Sequence, residues 1–201
     1  MDIRRATSRA AALTVLALSP ALALAHTGVG ATGGLVHGFM HPIGGLDHIL
    51  AMLGVGLVAA NLGGRALWLV PASFVAMMAV GGGLGVAGMP LPFLEIGIAL
   101  SVVVLGALIA AQVALPVAAA MAVVGFFAVF HGHAHGAEMP ATASGLAYGA
   151  GFMGATALLH AAGIGLATGV TRIGQAVGRN SVRVAGAAMS VAGIVILVQA
   201  V

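Results

Sequence analysis

LVHGFMHPIGGLDHILAMLGVGLVAANL, residues 35–62, is an apolar run long enough to cross a bilayer, yet it holds His37, His41, Asp47 and His48. About 20 consecutive apolar residues span the hydrocarbon as a helix, so this stretch sets the fold class as all-α and membrane-embedded. An aspartate at mid-membrane costs about 2.5 to 3.5 kcal/mol on insertion scales, so a partner must compensate Asp47. At about 3.6 residues per turn, His37, His41 and His48 are expected on one helix face with Asp47 on its flank. Pro42, Gly44 and Gly45 interrupt that helix between the histidines. Irregular backbone is tolerated at membrane depth where it lines a cavity, which makes the stretch read as part of a pathway.

The rest of the chain agrees. Of its 201 residues 61% are hydrophobic and 5% charged, against about 25% charged in an ordinary soluble domain, and the mean hydropathy is +1.18. Lysine is absent and all seven basic residues are arginine. The sequence pI near 11.2 therefore reflects scarce acids rather than a basic surface. Without an arginine cluster, and with 4% aromatics, no nucleic-acid surface can be assembled. No GxxxxGK[ST] loop is present, so no nucleotide is expected as a partner. The absence of cysteine removes disulfides, thiolate metal sites and cysteine nucleophiles together. Any metal site must be built from imidazole, carboxylate, thioether and backbone oxygen.

Residues 1–25 read as a signal peptide: Arg4, Arg5 and Arg9 precede an apolar stretch, and Ala23-Leu24-Ala25 forms a small-x-small cleavage site. Residues 26–201 then form one transmembrane domain of about six spans, expected at 35–62, 66–87, 91–113, 117–130, 142–167 and 182–201. The fourth is short and crosses only if its helix continues into the His-Gly repeat beyond Phe130. Pro71, Pro90, Pro92, Pro116 and Pro140 fall near helix starts or links. Many of the 32 glycines suit close helix packing. With an exported N-terminus, Arg65 falls in the first link and Arg172, Arg179 and Arg183 in the fifth, both cytoplasmic under the positive-inside rule. Both termini of the mature chain are then periplasmic, in a bacterial inner membrane. A homo-oligomer is compatible with all of this.

The acids beyond the signal, Asp47, Glu95 and Glu138, all lie in or beside apolar spans. His37, His41 and His48 cluster around Asp47, and His131, His133 and His135 precede Glu138. If that segment is helical, His131, His135 and Glu138 share a face and His133 points elsewhere, although Gly132 and Gly136 argue against a helix. A lone buried histidine is usually a hydrogen-bonded packing residue or part of a proton relay. Two clusters with three intramembrane acids favour a metal instead. Imidazole with carboxylate suits nickel, cobalt, zinc, copper(II) or iron without choosing among them. Scattered methionines such as Met77, Met78, Met121 and Met189 read as gap-fillers, with only Met40 and Met139 beside candidate ligands. His160 reads equally as an exit-side ligand or a buried hydrogen-bonded residue. His26, if it becomes the mature N-terminus, offers its α-amino group and imidazole as a chelate, against the simpler reading of a frayed terminus.

These motifs resemble those of the HupE/UreJ membrane proteins, hydrogenase and urease accessory permeases associated with nickel. Residues 41–48, HPIGGLDH, are similar to the family's H-P-x-x-G-x-D-H, and residues 130–138, FHGHAHGAE, to its F-H-G-x-A-H-G-x-E. Residues 92–101, with Glu95 and Gly97-Ile98-Ala99, and residues 155–160, ATALLH, resemble its third-span and fifth-span patterns. The resemblance implies a six-span permease with a cleaved signal and His41, Asp47, His48, His131, His135 and Glu138 as metal contacts. It transfers Glu95 and His160 less firmly and treats His37 and His133 as accessory histidines.

The expected function is passage of a divalent metal ion, Ni2+ first and Co2+, copper or Zn2+ as alternatives, from periplasm to cytoplasm, with no prosthetic group and no enzymatic activity. The expected route runs from the His131–Glu138 cluster to His41, Asp47 and His48. A rhomboid-type protease would need a G-x-S-G nucleophile, and Ser144 follows Ala-Thr-Ala. A His-ligated di-iron enzyme would need more H-x-x-H-H spacings than occur here. A metal sensor or chaperone that binds without translocating is separated from a permease only by flux.

Overall fold

The computed structural model describes residues 34–139 and 144–201. The expected signal peptide, His26 and the start of the expected fifth span at residue 142 lie outside them. The described residues form seven α-helices and no strand: α1 (Gly34–Met40), α2 (Leu46–Leu62), α3 (Ala66–Val86), α4 (Leu94–Ala110), α5 (Val117–Ala137), α6 (Gly145–Ile173) and α7 (Gln175–Gln199).

The first expected span is broken. A 3-10 turn at His41–Ile43 follows α1, with Pro42 in its first positions, and Gly45 is extended at the N-cap of α2. The two segments meet at 82°. His37 and His48 therefore do not share a face of one helix, because the helical period that predicted it is lost at Gly44 and Gly45. Across the break, His41 and His48 both meet the His135 ring.

Helices α3, α5, α6 and α7 are each long and apolar enough to cross a membrane, and the bent α1–α2 pair is long and apolar enough when its two segments are taken together. Helix α4, at 17 residues, is the short apolar member of the bundle, at the lower limit of spanning length. Shortness was expected of the fourth span, but α5 runs unbroken through the His-Gly repeat to Ala137. Gly132 and Gly136, expected to weaken that helix, instead let it approach α3 closely: a Cβ on Gly132 would strike the Met78 carbonyl, and one on Gly136 the Gly82 carbonyl. Membrane helices gain packing energy from such small-residue contacts, and α3 with α5 is the most extensive pairing in the bundle. Pro71 lies inside the early part of α3 rather than at its start.

The fifth link is also shorter than expected. Only Gly174 separates α6 from α7, so Arg172 lies in the last turn of α6, and Arg179 and Arg183 lie within α7. Arginine stems can cover apolar surface while the guanidinium reaches the membrane edge, so the helix need not end where the charges begin. Arg183 Nε donates to the Ala110 carbonyl at the end of α4, 3.1 Å away.

The core is a band in which Met52, Val55, Phe74, Val102, Leu105 and Val124 meet Phe152 on α6 and Met189 on α7, so that six helices contribute. Trp68, Phe93, Phe126, Leu146 and Ile173 are exposed. An apolar exterior around a packed interior suits a chain solvated by lipid.

Candidate metal centre

The two histidine motifs, far apart in sequence, occupy one chamber. Helix α5 passes the 3-10 turn and the start of α2, bringing His41 Nε2 within 3.1 Å of Glu138 Oε2. The His135 ring stands between the motifs, edge-on to His41 with centroids 4.6 Å apart and to His48 at 4.2 Å. His48 is edge-on to His131 at 4.7 Å. One ligand atom each from His41, His135 and Glu138 lie within 4.8 Å of one another, the spacing of donors around a single ion. His48, His131 and His135 are buried and His41 is nearly so, while Glu138 at the end of α5 is exposed. The chamber thus has a wet carboxylate rim and a dry imidazole floor.

Asp47 accepts the His48 backbone N–H at 2.8 Å and His48 Nδ1–H at 2.9 Å. The second bond fixes the imidazole with its proton on Nδ1 and its lone pair on Nε2, an atom that is buried without a partner. Carboxylate-held histidines of this kind are the usual orientation for a metal ligand. Asp47 thereby acts on His48, and the first turn of α2 places its negative charge at a helix N-terminus, where it is favourable. Both ring nitrogens of His135, and His131 Nδ1, are also buried without a hydrogen-bond partner. Buried polar atoms are normally paired, and such a concentration of open lone pairs is what a site for an electrophile requires.

The remaining sequence candidates divide by position. The His37 ring lies 5.9 Å from those of His41 and Tyr148, on the approach to the chamber. His133, expected to point away from its neighbours, does so: Nε2–H donates to the Met89 carbonyl at 2.6 Å, tying α5 to the link before α4. Glu95, in the first turn of α4, is exposed at the rim, near enough to feel the charges of Asp47 and Glu138. His160 is buried away from the cluster with both ring nitrogens unpartnered, on the wall of a cavity of about 480 Å³ between α3 and α6. Met139 lines a larger cavity of about 570 Å³ beside His135, while Met40 is exposed.

Four residues that the sequence reading had not assigned a role complete the surroundings. Phe74, fully buried on α3, touches His131 at 5.8 Å and His160 edge-on at 5.1 Å, so it separates the chamber from the deeper histidine. Tyr148 and Phe152 on α6 wall the other side, with the Phe152 ring 4.1 Å from His135. Ser101 on α4 is fully buried against His131. Its sequence signal was a hydroxyl in a helix that is apolar beyond Glu95, and that of Tyr148 was being the lone tyrosine of the chain.

The helices and this chamber define a polytopic membrane protein organised around a buried polyhistidine site with a carboxylate rim. Residues 13–196 match the family model described as HupE / UreJ protein, and the chain belongs to that family. It is 50% identical over 186 residues to Protein HupE of Rhizobium leguminosarum bv. viciae, an alignment covering 92% of this chain and 95% of that protein. No solved structure matches the chain.

Proposed function

We propose that the protein is an inner-membrane permease that takes a divalent transition-metal ion, Ni2+ foremost, from periplasm to cytoplasm, without enzymatic activity of its own. The observation that carries this reading is the convergence of His41, His135 and Glu138 donors within 4.8 Å, backed by the open lone pairs of His48 and His131. Neutral imidazole with carboxylate and no thiolate suits borderline divalent ions, and the resemblance to hydrogenase and urease accessory permeases favours nickel over cobalt, copper or zinc.

In this reading residues 1–25 are removed as a signal and residues 26–201 form the transport domain. Arg65, Arg172, Arg179 and Arg183 mark the cytoplasmic end by the positive-inside rule. The chamber, at the opposite ends of α2 and α5, then opens to the periplasm. Because both motifs meet there, they form one station rather than the two successive stations expected from sequence order. Glu138 and His41 receive the ion at the rim, and His135 passes it to His48 and His131. Phe74 must move aside for it to reach His160 and the cavity on the α3–α6 face. As far as His160 each transfer passes the ion between protein donors, so it is not left bare in an apolar interior.

Purified protein in proteoliposomes, with Ni2+, Co2+, Cu2+ and Zn2+ influx compared, tests the proposal. Saturable influx of one ion that His41→Ala abolishes supports it; binding without flux would make the protein a membrane-bound metal receptor instead.

A further inference from the structure

Ser101 makes two short contacts from a fully buried position. Its Oγ lies 2.6 Å from the Ile98 carbonyl and 2.8 Å from His131 Nε2. A hydroxyl carries one hydrogen, and a carbonyl oxygen can only accept. At 2.6 Å the Ser101 proton must therefore lie on the line to the Ile98 carbonyl. The oxygen is left as an acceptor toward His131, so Nε2 carries the hydrogen and donates it. His131 is thereby fixed with its lone pair on Nδ1, a buried atom with no hydrogen-bond partner beside the edge-on ring of His48.

We propose that Ser101 is a positioning residue that locks His131 in the Nε2–H tautomer and so presents Nδ1 as a donor to the ion. The assignment rests on the metal-binding reading of the chamber. It gives the floor of the site a two-sided arrangement: Asp47 on α2 holds the Nδ1–H of His48 and frees Nε2, while Ser101 on α4 holds the Nε2–H of His131 and frees Nδ1. The two rings use opposite nitrogens because their anchors approach from different helices. The anchors also differ in kind. A carboxylate makes its imidazole more basic and a tighter ligand, whereas a neutral hydroxyl fixes orientation with little added basicity. His131 is thus the weaker-holding partner of the pair, as suits a ligand that must release the ion onward.

The test combines ring-nitrogen NMR of histidine-labelled, metal-free protein in nanodiscs with Ni2+ titration, the His131 signals being assigned by their loss in His131→Ala. The native protein should show His131 as a single Nε2–H tautomer. Ser101→Ala should convert it to a mixture and weaken Ni2+ binding about 10- to 100-fold, the range for loss of a ligand's supporting hydrogen bond. Ser101→Thr, which keeps the hydroxyl, should restore both. In a His131→Ala background Ser101→Ala should weaken binding no further, a control that holds even if the single variant folds less well. An unchanged tautomer in folded Ser101→Ala, or an altered tautomer with unchanged affinity, overturns the proposal. If the native protein shows the Nε2–H tautomer but binds no metal, the metal-binding reading fails while the Ser101–His131 bond stands.

Discussion

His41 Nε2 and Glu138 Oε2 lie 3.1 Å apart although 97 residues separate them in the chain. This contact joins the 3-10 turn that interrupts the first crossing to the C-terminal end of α5. The two motifs therefore share a mouth. Histidine and carboxylate that bond to one another here are also the pair that an incoming cation would draw apart onto itself in the proposed function.

Removing either member should cost binding directly. His41→Ala or Glu138→Gln is expected to weaken Ni2+ affinity by at least about tenfold, with protein levels near normal because both groups lie toward the rim. Titration of purified variants measures this. Native affinity in both would place the ion elsewhere.

Asp47→Asn replaces a carboxylate that grips His48 Nδ1 with a neutral amide of the same shape. An amide can present its NH2 to the ring as readily as its oxygen, so the tautomer is no longer fixed. The expected loss is about 10- to 100-fold in metal affinity, with a circular-dichroism spectrum like that of the native protein. A variant that binds as well as the native chain would show that the orientation of His48 is irrelevant.

Protons compete with the ion for any imidazole lone pair that binds it. An ordinary imidazole titrates near pH 6.5, and only the neutral form binds metal. Affinity should therefore weaken on acidification, with more than one proton exchanged per ion where several rings coordinate. Calorimetry in buffers of different ionisation enthalpy counts the protons released. Affinity that never weakens on acidification, while the protein stays folded, would exclude imidazole as the main donor.

Gly132→Ala places a methyl group against the Met78 carbonyl on α3. The helices must separate or tilt, at about 1 to 3 kcal/mol, the usual cost of overpacking. The thermal midpoint in detergent should fall, and metal binding with it, since His131 and His135 ride on the displaced helix. An unshifted midpoint would mean that the contact is looser than described.

His160→Ala separates capture from passage. Loss of the buried imidazole beyond Phe74 should leave equilibrium Ni2+ affinity within about twofold while slowing influx into proteoliposomes, since the chamber's donors are untouched. Unchanged influx would remove His160 from the route.

Helical periodicity served well inside single helices. It placed His131, His135 and Glu138 together and turned His133 away, as the bond to Met89 bears out. It failed across Gly44 and Gly45, where an 82° bend cancels the register on which the shared face of His37 and His48 depended. It also misjudged Gly132 and Gly136, because a glycine's intrinsic cost in a helix is offset when the missing side chain admits a neighbouring backbone.

Composition and run length by themselves determined that this is a helical membrane protein, since apolar runs of about 20 residues suit spanning helices, whereas barrel strands need only about 9 to 11. They also named the polar residues too costly to keep in lipid without purpose. Only the tertiary structure decided that the histidine motifs form one chamber, that Asp47 and Ser101 aim two rings by opposite nitrogens, and that Phe74 divides His131 from His160. Coordination depends on atoms within a few ångströms of each other on different helices, and those distances are set by how the helices cross, which no spacing within one helix records.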